Sequence, residues 1–184
     1  MSNITKRAMA QSLKKMLLVK DLDKITITDI TNDCEMNRQT FYYHFKDIYD
    51  LLEWIFANEV VEKIEKETTI ETWQENFKYV LDYMLKNKKF IIKTYNSLSR
   101  KMLLDFLFKQ YNTIFIEIVN DLSRNYDITK ENKIFIANFY KYGFAGIIEN
   151  WIVTEMKESP ENIIKKLDVM ISGSFEEAVK KMSN

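Results

Sequence analysis

The sequence contains few of the residues that interrupt regular structure. Three glycines and one proline occur in 184 residues, of which 46% are hydrophobic. A β-sandwich or barrel needs many more turn residues than this, whereas long helices joined by short links do not. The apolar fraction is high enough to exclude a disordered chain. The composition therefore predicts an all-α fold.

Residues that carry catalysis or bind metals are also scarce. Cys34 is the single cysteine, which excludes an internal disulfide. Its place on an apolar helix edge favours a small core residue over a redox or ligand role. The single histidine, His44, has no neighbouring Cys or acid at ligand spacing. The sequence has no Gly-rich phosphate loop and no nucleophile elbow. We therefore expect no enzyme activity, no metal site and no cofactor.

Long hydrophobic runs and an excess of one charge are missing as well. No apolar run approaches the roughly 20 residues that span a bilayer, and no signal peptide is visible. We therefore expect a cytoplasmic protein without a membrane partner. The net charge is zero, which argues against indiscriminate nucleic-acid binding. Residues 1–46 nevertheless hold eight Lys/Arg against five Asp/Glu, and that small surplus has the sign that DNA binding requires.

Residues 26–52 form the most informative stretch of the chain. Thr26 is placed to cap a short helix, and Asp29, three residues later, fits the capping-box position. A tight corner then stops this helix, and Asn37 is a good cap for a second one over residues 38–45. The pattern predicts two short helices joined by a corner, with a third helix beginning just afterwards.

The second of these helices has two contrasting faces. Phe41 and Phe45, four residues apart, form one apolar edge. A helix this short gains little by exposing its other face to solvent, and a DNA major groove has the width to accept it. That other face carries a dense set of polar and aromatic side chains, which are Arg38, Gln39, Thr40, Tyr42, Tyr43 and His44.

Several residues of this stretch match a known pattern, namely Thr26, Thr28, Asp29, Ile30, Thr40, Phe41, Tyr42, His44, Phe45, Leu51 and Leu52. In these residues the stretch resembles the helix-turn-helix of TetR/AcrR-type transcriptional regulators. The segment NRQTFYYHFKD is similar to the corresponding segment in the branch of this family that includes activators of dihydroxyacetone-kinase operons. The resemblance implies a helix-turn-helix DNA-binding domain over residues 1–50 and a helical regulatory and dimerisation domain over residues 51–184.

The resemblance also implies a function and its partners. A protein of this type is a sequence-specific DNA-binding regulator that acts as a homodimer on a palindromic operator and responds to a small-molecule effector. The alternative is a DNA-binding co-regulator that takes its signal from a protein partner and has no small-molecule pocket of its own.

Side-chain chemistry and the family positions together assign roles on the reading surface. Arg38 suits guanine, Gln39 suits adenine, and the methyl group of Thr40 suits thymine. Tyr43 is a further candidate for base contact, and Thr28 aligns with a position that reads a base in the family. The predicted DNA contacts also include phosphate-binding and capping residues, which are Tyr42, His44, Lys46, Thr26 and Asn37.

The sequence departs from the family pattern at two positions. Glu35 stands where the corner usually carries glycine, so the turn has to be made either without a positive φ or at some strain. Ile48 stands where a lysine usually holds a phosphate, and the hypothesis is that Lys46 takes over that contact. For Tyr42 and Tyr43, packing under the following helix is the alternative to DNA contact.

The rest of the chain has helical periodicity almost throughout. A long helix is predicted from Asp47 to about Glu67, and every segment from residue 71 onward reads as helix. The aromatic stripes of these helices are more typical of a core than of a ligand site. The resemblance implies a small-molecule cavity among them, where hydroxyls are available from Tyr79, Tyr83, Tyr95, Tyr111 and Tyr140.

The last two predicted helices indicate a dimer interface. The first, from Thr129 to about Lys157, is apolar nearly all round and so has to be covered on most faces. The second begins at Ser159, with Pro160 at its first position, and continues through Val179. Paired with the same helices of a second copy, they would give a four-helix dimer interface. The candidate contacts are Phe139, Gly143, Ile147, Trp151, Leu167, Met170 and Phe175. The alternative is that the two helices only close the core of the monomer.

Overall fold

The computed structural model describes residues 2–60, 69, 72–97 and 100–184. Within these residues the chain forms α-helices and one short 3-10 helix over Leu22–Lys24, with no strand, which confirms the all-α prediction. The α-helices are α1 Ser2–Leu17, α2 Ile27–Asp33, α3 Arg38–His44, α4 Ile48–Glu59, α5 Trp73–Lys86, α6 Lys88–Tyr95, α7 Arg100–Leu122, α8 Lys130–Val153, α9 Pro160–Ile171 and α10 Ser174–Met182.

The helices fall into two compact units. Unit 1 comprises Met1–Lys63 with Asn87–Leu103, and unit 2 comprises Ile64–Lys86 with Leu104–Asn184. Unit 1 therefore contains α4 and α6 in addition to α2 and α3, which are the helices predicted to contact DNA. The functional boundary that the sequence places after residue 50 stays a prediction.

The core of unit 1 lies behind α2 and α3. α1 contributes Met9, Leu13 and Leu17, all fully buried, as its apolar spacing predicts. α4 begins after the Asp47 cap and buries the side chains that its sequence period places inward. This core holds α2 and α3 through Ile30, Phe41 and Phe45, and α4 contributes Leu51, Leu52, Ile55 and Phe56.

α6 also belongs to unit 1, although nothing in its sequence predicts that it packs with the helix-turn-helix. The ring of its Phe90 lies 5.5 Å from the ring of Phe56 on α4. The ammonium of Lys14 on α1 lies 5.5 Å from the centre of the Phe90 ring and donates to Glu59 on α4. α1, α4 and α6 thus brace one another through aromatic and charged contacts.

One predicted helix end, near Lys157, differs from the structure, and another, near Glu67, falls outside the described residues. α4 ends at Glu59, and the predicted continuation to Glu67 falls on residues 61–67, which lie outside the described residues. α8 ends at Val153, before the predicted end near Lys157, because Glu155 and Met156 adopt left-handed backbone angles of φ 56° and 50°. A chain in that conformation cannot continue a right-handed helix.

The C-terminal segment is two helices, so the prediction of one continuous helix from Ser159 through Val179 is wrong. Gly173 has φ 73°, in the left-handed region that glycine tolerates, and it separates α9 from α10. Apolar periodicity continues across this break, with Phe175 and Val179 buried. The hydrophobic pattern alone therefore does not reveal the break between α9 and α10.

An aromatic cluster around Phe144 forms the centre of unit 2. The Phe144 ring on α8 lies 4.8 Å from Phe115 of α7 and 5.0 Å from Phe77 of α5. Trp73 meets the same ring edge-on at 5.6 Å. These edge-to-face pairs are a favourable aromatic geometry, and they confirm that the aromatic stripes belong to a core. In the described part of the chain, no helix combines the length and apolar character needed to cross a membrane.

Candidate nucleic-acid interface

Reciprocal capping fixes the start of α2. The backbone N–H of Thr26 donates to Asp29 Oδ2 at 2.9 Å, and the Asp29 N–H donates to Thr26 Oγ1 at 3.1 Å. The predicted capping box is therefore confirmed. The backbone hydrogen bond from Thr26, followed by its hydroxyl contact, lowers the pKa of Asp29 below its ordinary value. The carboxylate stays ionised at neutral pH and orders the entry to the helix.

The corner between α2 and α3 stores strain at Glu35. Its φ is 54°, in the region that a β-carbon disfavours. The corner is held by Met36 N–H donating to the carbonyl of Thr31 at 2.8 Å, and by Glu35 N–H donating to Asn32 at 3.1 Å. The chain therefore makes without glycine the turn for which the family pattern uses glycine. Cys34, beside it, is half-buried, and this burial raises the pKa of its thiol.

Asn37 fixes the start of α3. Its Oδ1 accepts from the backbone N–H of Thr40 at 2.8 Å and from the Thr40 hydroxyl at 2.9 Å. On the opposite side Phe41 and Phe45 are buried in unit 1. A cap at one end and two aromatic anchors behind leave the remaining surface of α3 facing outward.

The predicted DNA contacts of α3 lie along that surface, whereas Thr26 and Thr28 belong to the start of α2 and Lys46 follows α3. Tyr43 is 82% exposed and Tyr42 is 51% exposed, which excludes packing of these side chains under α4. Thr40 and His44 are half-buried, with the His44 ring edge-on to Tyr43 at 4.9 Å. The other predicted contacts are all exposed, and they are Thr26, Thr28, Asn37, Arg38, Gln39 and Lys46.

Asp50, which was not among the residues predicted for the site, positions the backbone of Lys46. The Lys46 backbone N–H donates to Asp50 Oδ2 at 2.9 Å, while the Asp50 N–H donates to Asp47 Oδ1 at 2.9 Å. The signal was present, because Asp47 and Asp50 have the three-residue spacing of a capping box. The side chain of Lys46 is exposed and that of Ile48 is half-buried. Lys46 is thus the cation at the start of α4.

The five tyrosines predicted to bind an effector do not converge. Tyr111 lines a small cavity in unit 2, whereas Tyr140 shares a 2.8 Å hydrogen bond with Ser174. Tyr95 belongs to unit 1, with the guanidinium of Arg100 4.7 Å from its ring. The remaining two lie half-buried on α5 and do not line that cavity, and they are Tyr79 and Tyr83.

The cavity beside Tyr111 is apolar and small. Its volume is about 20 Å³, enough for one water molecule. The Tyr111 hydroxyl is buried without a hydrogen-bond partner among the described residues, and burial raises its pKa. The walls are mostly aromatic and aliphatic, and they comprise Trp73, Asn76, Phe77, Val80, Ile114, Phe115 and Phe144.

The predicted dimer contacts divide into exposed and buried groups. Phe139 is 69% exposed and Met170 is 74% exposed, and Gly143 and Ile147 are also exposed. The other three side chains pack inside the chain and offer no surface to a partner, so they belong to the core of unit 2. These are Trp151, whose indole donates to the Glu158 carbonyl at 2.8 Å, Leu167 and Phe175.

The exposed group is part of a larger apolar face on α8. Phe135, Phe139, Tyr142 and Val153 repeat at helical spacing along one side of the helix, and all are exposed. A β-carbon added at Gly143 or Gly146 would meet no atom within 4 Å. This face is the side of α8 that the described part of the chain leaves uncovered.

Comparisons with known proteins show the family and the fold. Residues 71–173 match the model of a TetR C-terminal family, described as a transcriptional regulator C-terminal region. The HTH-type dhaKLM operon transcriptional activator DhaS of Lactococcus lactis subsp. lactis (strain IL1403) is 25% identical over 154 residues, which cover 83% of this chain and 81% of that protein.

Two solved structures share the fold. The dihydroxyacetone kinase operon activator DhaS superposes with a TM-score of 0.71 at 23% identity, covering 98% of this chain and 99% of that one. NalD, the secondary repressor of the MexAB-OprM multidrug efflux pump in Pseudomonas aeruginosa, has a TM-score of 0.59 at 12% identity, covering 92% and 94% of the two chains. The same architecture thus serves an activator and a repressor.

Proposed function

The chain belongs to the TetR family of DNA-binding transcriptional regulators, and from this premise we propose that it binds a palindromic operator as a homodimer, with α3 of each copy in the major groove. The observation that carries the proposal is the outward surface of α3, capped by Asn37 and anchored from behind by Phe41 and Phe45. A rigid helix with an exposed polar-aromatic face is what major-groove reading requires. We also propose that the protein acts in the cytoplasm, where operator DNA is found.

We assign base reading to Arg38, Gln39, Thr40 and Tyr43 on α3, together with Thr28 on α2. The Thr40 hydroxyl donates to Asn37, so its methyl group is the feature left to meet a thymine. Phosphate contacts are assigned to Tyr42, His44 and Lys46. Thr26 and Asn37 act as caps that hold the surface in register. Residues 1–50 are the proposed DNA-binding domain, and residues 51–184 the regulatory and dimerisation domain.

The exposed face of α8 supports the dimer. TetR-family regulators act as dimers, and a two-fold axis through this face would cover Phe135, Phe139 and Tyr142 with the same residues of a second copy. Gly143 and Gly146 would let the two helices approach closely. Val169 and Met170 add exposed apolar surface from α9. Two copies present two reading helices, which a palindrome requires.

Two ways of receiving a signal are proposed for residues 51–184. A small-molecule effector would bind unit 2 and shift the protein between states of different operator affinity. The second candidate is a protein partner. The Tyr111 cavity, at about 20 Å³, is too small to hold a metabolite, so an effector would have to bind elsewhere in unit 2. A thermal-shift screen of metabolites separates them, since a bound metabolite raises the melting temperature.

Selection of bound sequences from a random DNA pool tests the proposal. We expect a palindromic consensus from the full chain, and no enrichment from a Tyr42→Ala variant of unchanged helix content. An enriched sequence without two-fold symmetry would contradict the dimeric binding mode. Equal enrichment by the Tyr42→Ala variant would remove α3 as the reading helix.

A further inference from the structure

A second surface of unit 2 has the composition of a ligand site. A groove between α7 and α8 encloses a volume of about 360 Å³, within the range of small-molecule sites. Its apolar lining consists of Ile116, Ile134 and Ala137. Its polar lining consists of two asparagines and two lysines, which are Asn112, Asn120, Lys130 and Lys133.

The charge of this groove is uncompensated. Among the described lining residues none is acidic, and neither Lys130 nor Lys133 forms an ion pair with any residue that the structure describes. Two ammonium groups in one groove repel each other. An anion bound between them would relieve that repulsion.

The asparagines add hydrogen-bond donors to the same groove. Asn112 Oδ1 accepts from Lys141 Nζ at 3.5 Å, so the amide N–H groups of Asn112 remain for a ligand. Lys141 itself is held by Asn138 at 2.7 Å and lies 4.6 Å from the centre of the Tyr142 ring. It brings a third cation to the rim without entering the lining. The groove is therefore rich in donors and cations.

A groove of similar size elsewhere in unit 2 shows the contrast. The groove between α5 and α9 has a volume of about 390 Å³ and contains its own counter-ions. Lys78 donates to Glu161 at 2.6 Å and to Asp82 at 2.9 Å, while Gln74 donates to Asp168 at 2.6 Å. Those donors are already satisfied by the protein. The α7–α8 groove lacks such internal partners among the described residues.

We propose that the α7–α8 groove binds a small phosphate monoester with a short aliphatic part. Lys130 and Lys133 would neutralise the phosphate, for which lysine ammonium groups are common ligands in proteins. Asn112 and Asn120 would donate to its oxygens, and the aliphatic part would cover Ile116 and Ile134. Binding itself does not depend on DNA recognition. The role of the ligand as an effector rests on the proposed function.

Isothermal titration of the full chain with n-butyl phosphate tests the site. We expect saturable binding of one ligand per chain, weakening as salt rises because charge attraction drives it. Inorganic phosphate alone should bind more weakly, since it lacks the aliphatic part, and n-butanol should not bind. Butyrate compares a carboxylate with the phosphate and should bind more weakly, since it carries less charge and fewer oxygens. Equal affinity for inorganic and butyl phosphate, or no saturable binding, would overturn the proposal.

Paired variants locate the site. The Lys130→Ala/Lys133→Ala protein should lose about tenfold or more in affinity for butyl phosphate, since it lacks both cations. Lys165→Ala, which removes an exposed lysine from the α5–α9 groove, should leave the affinity unchanged. Equal losses in both would place binding elsewhere and overturn the assignment.

Operator titration with and without butyl phosphate separates the two claims. A change in operator affinity that disappears in the Lys130→Ala/Lys133→Ala protein supports the effector role. Saturable ligand binding by a chain that selects no operator would contradict the proposed function and leave the groove assignment standing. Operator binding that butyl phosphate does not change, despite a filled site, would overturn the effector role alone.

Discussion

The guanidinium of Arg38 lies against the side chain of Tyr42 one turn later on α3, with Nη2 3.4 Å from Oη and Cζ 6.0 Å from the ring centre. The phenol oxygen accepts from the arginine, so its own proton stays available to donate to a phosphate. The two side chains therefore act as a coupled pair at one edge of the reading surface.

A double-mutant cycle on operator affinity tests this coupling. Arg38→Ala and Tyr42→Phe should each weaken binding, and the double variant should lose less than the sum of the single losses, by about 0.5–1 kcal/mol. Fluorescence anisotropy with a labelled operator measures all four proteins. Strict additivity would show that the two residues contact DNA independently.

Base reading and phosphate contact predict different responses at two exposed residues, Gln39 and Lys46. Gln39→Ala should cost about 1–3 kcal/mol on the selected operator and relax the preference at one base pair. Lys46→Ala should weaken binding to all sequences alike and lower the salt dependence by about one phosphate contact. Affinities over a salt series, on the operator and its single-base variants, distinguish the two. Relaxed preference in the Lys46 variant would reverse the assigned roles.

Glu35 gives a prediction about stability. Its φ of 54° is strained for a residue with a β-carbon, so Glu35→Gly should raise the free energy of unfolding by about 0.5–1 kcal/mol, the relief of strain exceeding the extra entropy of glycine. Glu35→Ala keeps the β-carbon and should bring no such gain. Chemical denaturation of both variants measures the difference, and equal stabilities would show that the corner is unstrained.

Local chemistry explains why the starts of α2, α3 and α4 could be predicted from the sequence. Thr26, Asp29, Asn37 and Asp47 are caps that act within three residues, and the structure forms each of these contacts. Such interactions depend little on the rest of the chain. At Glu35 the sequence left two conformations open, and the φ of 54° shows that the corner uses the left-handed one.

The tertiary arrangement was harder to predict, because apolar periodicity does not say which neighbour covers a face. Trp151 and Phe139 are both apolar residues of α8, yet one packs inside unit 2 and the other is exposed. Gly173 ends α9 while the apolar period continues into α10. The short segment containing Phe90 joins unit 1 despite its distance along the chain. These outcomes depend on long-range packing.

The capping carboxylate of Asp29 predicts an acid-sensitive contribution to stability. The Thr26 backbone and hydroxyl contacts lower its pKa in the folded protein, so folding favours the ionised form. This contribution is present above the unfolded pKa, near 4, and is lost as the pH falls through the lower folded value. Asp29→Asn should therefore destabilise the protein at pH 7 and show a smaller difference from the parent at about pH 3. Thermal melting at both pH values measures it, and a difference independent of pH would contradict the ionic cap.

The exposed face of α8 gives the last prediction. Phe139→Glu places a charge at the centre of the proposed two-fold interface, where each copy would meet the same charge on its mate, so the dimer should dissociate. Leu85→Glu also replaces an exposed apolar side chain with a carboxylate, but on α5 instead of α8, and should leave the dimer intact. Analytical ultracentrifugation measures the mass of each variant, and anisotropy measures its operator affinity. Because one reading helix holds few contacts, the monomer should lose at least about a hundredfold in apparent affinity. A dimeric Phe139→Glu protein would exclude α8 as the interface, and a monomer that kept full operator affinity would exclude two-fold reading.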